Sequence, residues 1–224
     1  ERSEHKPLGF VAVAAGSGMA KILESLGVDV VVSGGQTMNP STKDLLDAVE
    51  RVNADAVIIL PNNSNIIMAA QSAAGLSEVP CAVVPTKSVP QAFSALFSAD
   101  ETASLEENVE NMTSAFADTK TGEVTTAIKD SKDAHDNPIH NGDVIGIADG
   151  SIEAVGSSVE DVVMSLLDTM EAEDADTLTL LAGEDFSDEQ LDALVERIES
   201  RFDELEIDAH RGEQPLYPIV FSVE

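Results

Sequence analysis

The 224-residue sequence predicts an α/β fold: an open, mostly parallel sheet with helices on both faces in the first half, and a mixed α+β region in the second. Three observations carry that prediction. Apolar runs rich in Val, Ile and Ala recur in the first half without polar alternation, as strands covered on both faces require. Each run is followed by a segment whose apolar residues fall three or four apart, the period of an amphipathic helix. After residue 118 the pattern changes, and runs flank polar turns as in antiparallel pairs.

Taken in order, "GFVAVAA" (9–15), "VDVVVS" (28–33), "DAVIIL" (55–60) and "PCAVVP" (80–85) are the expected strands of the first region. Helices are expected over 19–26, 41–52, 65–74 and 89–97. Right-handed crossovers between such units generate a small doubly wound sheet. "SLEENVENMTSAFADT" places Leu105, Val109, Met112 and Phe116 on one stripe and reads as a helix bridging the halves. The expected organisation is therefore a parallel α/β domain over 1–100, a bridging helix over 101–118 and a mixed α+β domain over 119–224. In that last domain "EVTTAIKD" and "DVIGIADG" are expected to pair around the polar turn "KDAHDNPIHNG". A helix capped by Ser157 or Ser158 follows. "DTLTLLAG", "SDEQLDALVERIESRF" and "LEIDAH" make one βαβ unit, and "YPIVFSV" is the last strand.

Composition narrows the function classes. The formal net charge is −30, and its distribution is uneven: residues 1–118 carry 6 basic and 15 acidic side chains, residues 119–224 carry 6 and 27. Such a field repels a phosphate backbone, so nucleic acid is not an expected partner. It attracts basic protein surfaces, although an acidic surface also serves solubility alone. No apolar run approaches the ~20 residues of a membrane-crossing helix, and the opening "ERSEHKPLGF" has no signal-peptide pattern. A cytoplasmic location is expected. The chain does not begin with Met and reads as a piece of a longer one. The single cysteine, Cys81, rules out an internal disulfide and is expected to fill core space. His135 and His140 stand together in the polar turn without cysteine partners, which suits a solvated loop better than a zinc site.

In an open parallel sheet, ligands bind beyond the carboxyl ends of the strands. Four polar loops fall there: "GSG" (16–18), "GGQTMNPS" (34–41), "PNNSN" (61–65) and "PTKS" (85–88). The candidate ligand- or partner-binding residues are Gly34, Gly35, Gln36, Thr37, Asn39, Ser41, Asn62, Asn63, Asn65, Thr86 and Lys87. Two explanations stand side by side. Gly34 and Gly35 supply backbone angles closed to other residues, with Asn39 or Ser41 as a helix cap. Alternatively, glycine-exposed amides at a helix start attract an anion, with Lys87 as counter-charge. None of the four loops contains Asp, Glu, His or Cys. General acid–base catalysis needs a titratable group, and phosphoryl transfer needs metal-holding carboxylates. No catalytic residue and no metal ligand is assigned. In the second region Glu184 and Asp185 precede Ser187, whose capping box with Gln190 explains that turn by itself.

The segments "GFVAVAAGSGMAKILESLGVDVVVSGGQTMNPSTKDLL", "VIILPNNSNIIMAA", "VVPTKSVPQ", "KTGEVTTAIKD", "GDVIGIADG" and "GEQPLYPIVFSVE" together resemble the C-terminal region of DAK2-domain proteins related to dihydroxyacetone kinase, the bacterial fatty acid kinase A subunits. The resemblance covers nearly the whole chain. It implies an architecture similar to DegV-type fatty-acid-binding proteins. It also implies a non-catalytic module that docks the fatty-acid-binding B subunit, so that the acyl carboxylate is phosphorylated by an ATP domain. ATP and Mg are implied for the full-length protein, and no cofactor for this chain. Nothing here resembles the ATP domain, so no catalytic residue is carried over. Self-association is a further expectation, and small-anion or fatty-acid binding at the strand-end loops is the alternative function.

Overall fold

The computed structural model describes residues 4–35 and 38–224. The chain divides into two compact units, residues 1–118 and 119–224. In the first, strands β1 (Lys6–Ala14), β2 (Val30–Ser33), β3 (Ala54–Leu60) and β4 (Cys81–Val83) form one sheet in the order β2-β1-β3-β4. Every pairing is parallel. Helices α1 (Ser17–Ser25), α2 (Thr42–Arg51), α3 (Ile67–Leu76), α4 (Val89–Phe97) and α5 (Leu105–Ala115) accompany it.

Strand parity assigns the two faces. Val11, Val13, Val57 and Ile59 pack with Leu45, Ala48 and Val49 of α2 and with Ala70 and Ala73 of α3. Phe10, Ala12, Ile58 and Leu60 point the other way and are also buried, on the side where α4 packs against both α1 and α5. Double burial is why these strands show no alternation. β1 begins at Lys6, three residues before the apolar run, because Lys6 already pairs with Ala54. Helix α5 groups with the first unit, and Asn108 rather than Leu105 joins Met112 in being buried. The Asn108 amide donates to the carbonyl of Asp100 at 2.8 Å and its oxygen accepts from Asp100 N at 2.8 Å, tying the entry loop to the helix.

The second unit holds a six-stranded sheet in the order β11-β10-β12-β5-β8-β9, built from β5 (Lys120–Thr126), β8 (Val144–Ala148), β9 (Ser151–Gly156), β10 (Thr177–Ala182), β11 (Glu206–Arg211) and β12 (Ile219–Val223). Only β10 and β11 are parallel, as the βαβ pattern requires. The others pair antiparallel. Helices α6 (Val159–Thr169) and α7 (Asp188–Arg201) share one core with Val124, Leu178, Leu180, Ile219 and Phe221. Ser158 caps α6. Gly122 is required by contact: a Cβ there would collide with the Phe221 ring.

Two elements depart from the sequence expectation. Strand β9 lies in a stretch for which no element is expected from sequence, because "SIEAVG" alternates weakly and its pairing with β8 shifts register at Gly146/Ile147. The polar turn contains a short hairpin, β6 (Ser131–Lys132) and β7 (Pro138–Ile139). Asp133 organises it, accepting from His135 N at 2.8 Å and Asn137 N at 2.9 Å. Beneath it Ile139 packs on Ala127 and Ile145.

Candidate functional site

Because β1 to β4 are parallel, the four polar loops leave the same edge of the first sheet. Register aligns them: Ala14 pairs with Ser33, Ala12 with Leu60, and Ile59 with Val83. The chain leaves β1 for one neighbour, β2, and later returns to the other, β3. The switch point, where a doubly wound sheet opens its crevice, therefore lies between the ends of β1 and β3.

Asn62 occupies that point. Its side-chain nitrogen donates to the carbonyl of Val13 at 2.9 Å, its oxygen accepts from Thr86 Oγ1 at 2.7 Å, and its backbone nitrogen donates to Thr86 Oγ1 at 3.1 Å. Both side chains are buried, Asn62 at 8% exposure and Thr86 at 0%. Asn62 has φ 58°, a left-handed conformation that asparagine tolerates far better than β-branched residues. The crevice is thus stitched by the protein's own amide. Asn63, also buried, accepts from Asn65 N at 2.9 Å and shapes the turn into α3, while Asn65 is exposed.

The loop after β2 is held differently. Gly34 N donates to Ala14 O at 3.1 Å and Gly35 N to Met38 O at 2.9 Å. The expectation of special backbone angles at Gly34 and Gly35 is corrected: neither has a positive φ. Gly34 is needed because a Cβ would press on the Pro40 ring and the Met38 carbonyl. Of the two candidate caps, Ser41 takes the role, receiving Asp44 N at 3.1 Å while the Asp44 carboxylate receives Ser41 N at 3.0 Å. Those hydrogen bonds hold the Asp44 carboxyl below the usual range. Asn39 and Met38 are exposed. Gln36 and Thr37 lie outside the described residues.

Ser88 caps α4, and Lys87 is exposed, its backbone nitrogen donating to Gln91 Oε1 at 2.8 Å. Helices α1 and α3 begin without a side-chain cap, so their first-turn amides face the rim without that satisfaction. The geometry brings the four loops to one edge. It also divides their residues into a buried fastening (Asn62, Asn63, Thr86) and an exposed set (Asn39, Ser41, Asn65, Lys87).

The second unit has its own loop-bearing edge at the ends of β10 and β11. Arg211 donates to the carbonyls of Phe186 at 2.6 Å and Gly183 at 2.7 Å and to Asp188 at 3.1 Å, and it pairs with Glu213. Gln214, 3% exposed, donates to the carbonyls of Leu181 at 2.9 Å and Tyr217 at 3.0 Å. Ser187 and Gln190 form the expected capping box. Among the described residues no group of three or more His, Cys, Asp or Glu is placed to hold a metal ion. Sequence reasoning missed Glu123 on β5. Burial pushes its carboxyl up to about 7, and burial together with the Glu123 charge pushes Tyr217 up to about 12. The one available signal was a carboxylate between Gly122 and Val124 in a strand. Cys81, expected in the core, is only partly buried, and desolvation raises its thiol to about 11.

A parallel α/β unit followed by a mixed-sheet unit is the fold of the DegV fatty-acid-binding proteins. The DegV family protein Cg2579 of Corynebacterium glutamicum superposes with a TM-score of 0.68 over 97% of this chain and 97% of its own, at 15% identity. The Streptococcus pneumoniae fatty acid kinase B3 protein loaded with linoleic acid matches with a TM-score of 0.65 over 97% and 99%, at 12% identity. Sequence narrows the class further: the model of the FakA-like C-terminal family, the C-terminal region of A-like fatty acid kinase subunits, matches residues 9–224, and the chain belongs to that family. Protein YloV of Bacillus subtilis (strain 168) is 44% identical over 220 residues, 98% of this chain but 39% of the relative. The chain thus spans well under half the length of that relative. Among the described residues no helix is long and apolar enough to cross a membrane.

Proposed function

We propose that this chain is a non-catalytic module of a fatty acid kinase that docks a DegV-type fatty-acid-binding subunit, whose acyl carboxylate is phosphorylated elsewhere in the longer protein. The observation that carries the reading is the family match across residues 9–224. The chemistry of the rim agrees with it. Its loops contain no Asp, Glu, His or Cys to move a proton. They do not suit a magnesium nucleotide either, since that needs carboxylates for the metal. The reading therefore assigns ATP and Mg to other parts of the full-length protein. Titration calorimetry with a lipid-loaded DegV-type subunit is expected to give saturable binding. Deleting this module from the full-length protein is expected to abolish acyl phosphate formation, and undiminished turnover would end the reading.

A second reading is favoured by the uncapped starts of α1 and α3: the rim binds a small anion or a fatty-acid carboxylate, with Lys87 as counter-charge. Thermal-shift measurements with phosphate and with a long-chain fatty acid test it. Lys87→Ala is expected to remove any ligand-induced stabilisation while leaving the free protein within about 0.5 kcal/mol of wild type, as for other exposed side chains. Unchanged stabilisation in the variant would exclude it.

A further inference from the structure

We infer that the β6–β7 hairpin is a detachable guard over strand β9, the edge of the six-stranded sheet most open to strand addition, and that releasing it makes β9 adhesive. The inference does not rest on the proposed docking function. An edge strand offers a row of unpaired backbone groups to any other strand, and natural sheets blunt such edges by shortness, charge, bulges or a covering loop. The edges of the two larger sheets are β2 and β4, and β11 and β9. Strand β2 has four residues and β4 three. Strand β11 has six, of which Glu206, Asp208, His210 and Arg211 are ionisable. Strand β9 is as long as β11 and carries one charged residue, Glu153, while Val155 is exposed. Shortness and charge therefore leave β9 open, and it is the edge on which the hairpin lies.

Two bonds fasten the hairpin there. Ala134 N donates to Ile152 O at 3.0 Å, and His135 Nε2 donates to the Glu153 carboxylate at 2.9 Å. The first satisfies a backbone acceptor of β9, and the second engages its one charge. Beneath the hairpin, Ile139, Ala127 and Ile145 form a small buried cluster on which Ile152 packs, and this cluster shares no residue with the core under α6 and α7.

Most of the hairpin's other bonding is internal. The Asp133 carboxylate accepts from His135 N, from Asn137 N and from Asn137 Nδ2. The base is closed by Ala127 N donating to Asp143 O and Gly142 N donating to Ala127 O, both at 2.8 Å. A segment bonded within itself and resting on its own small cluster opens as a unit, at a lower cost than global unfolding. Opening uncovers Ile145 and Ile152 and frees the Ile152 carbonyl, beside the exposed Val155. Apolar side chains next to free backbone groups are what an added strand uses.

Ala134→Pro with His135→Ala tests the guard on the whole chain. Asp136 N donates to Asp133 O, so Ala134 is the second residue of a β-turn, where proline is favoured. The double variant therefore removes both ties and keeps the turn. Hydrogen–deuterium exchange of residues 151–156 is expected to quicken roughly tenfold, as for loss of a hydrogen bond and a charged contact, while residues 219–223 exchange as in wild type. The variant is also expected to assemble into thioflavin-positive species at concentrations where wild type does not. Val155→Lys, a charge on the uncovered edge, is expected to suppress that assembly. Ile139→Ala loosens the hairpin from beneath and should quicken the same residues. Unchanged exchange over 151–156 in both the double variant and Ile139→Ala would overturn the inference, and so would assembly that Val155→Lys leaves undiminished.

Discussion

The two units end their strands in loops of opposite chemistry. In the first, the loops after β1 to β4 carry asparagine, serine, threonine and one lysine, with no carboxylate. In the second, the loops after β10 and β11 are knotted by Arg211, which engages Glu213, Asp188 and two backbone carbonyls. The β10 loop follows the strand–loop–helix plan of the first unit, yet here the basic group, Arg211, is engaged by neighbouring carboxylates and carbonyls. The Arg211 guanidinium and the Gln214 amide nitrogen are both bound to backbone carbonyls of the same edge. The first fastens itself with one buried pair, Asn62 and Thr86, and leaves Lys87, Asn39 and Asn65 exposed. A shared plan therefore does not imply a shared role, and the exposed groups direct attention to the first rim.

The contrast is open to measurement. The largest expected effect is in the second unit: Phe221 is fully buried under α6 and α7, and Phe221→Ala should cost about 3–5 kcal/mol in denaturant unfolding. A loss under about 1.5 kcal/mol would mean that the mixed sheet is not organised around this ring. In the first unit, Asn62→Ala removes the Val13 and Thr86 hydrogen bonds, leaves buried groups unpaired and keeps a positive φ. It should cost about 2–4 kcal/mol. Asn62→Gly relieves the backbone alone and should recover less than half of that loss. Full recovery by glycine would make the fastening a matter of conformation and weaken the distinction between the edges.

Glu123 gives the third test, through pH. Its carboxyl rises from 4.5 to about 7 in the folded protein because burial penalises the charged form. A raised pKa means that the folded state binds the proton more tightly than the unfolded chain. The associated stability is complete below about pH 4.5 and is lost as pH rises through about 7. Between about pH 4 and pH 8, Glu123→Gln should gain on wild type by at most about 3 kcal/mol. Parallel pH profiles for the two proteins would show the carboxylate to be solvated. The smallest effect is expected at the caps. Ser41→Ala and Ser187→Ala each remove a capping box and should each cost about 1 kcal/mol. Caps belong to both units, so a smaller loss at Ser41 than at Ser187 would show that the first rim is less dependent on local hydrogen bonding.

Much of this arrangement was legible in the residues. The doubly buried strands announced themselves by unbroken Val and Ile runs, and the parallel crossovers followed from their alternation with helix-period segments. Ser187 with Gln190 predicted its capping box from spacing alone, because a cap is settled within one helical turn. Strand β9 escaped because a register shift at Gly146/Ile147 erases the period-two signal on which such a reading depends. Gly34 and Gly35 were noticed for the wrong reason: they stay outside the left-handed region, and Gly34 is demanded by the nearby Pro40 and Met38.

What the sequence determined by itself were the features written in local spacing: the strand and helix succession, the caps, the neutral character of residues 56–99 and the absence of carboxylates from the strand-end loops. Tertiary structure alone decided which polar groups are consumed and which are left exposed. Asn62 reaches a carbonyl 49 residues away and a hydroxyl 24 residues on, and no local pattern encodes such distant partners. The burial that raises Glu123 has the same origin, since desolvation depends chiefly on what the fold brings near a side chain from elsewhere in the chain.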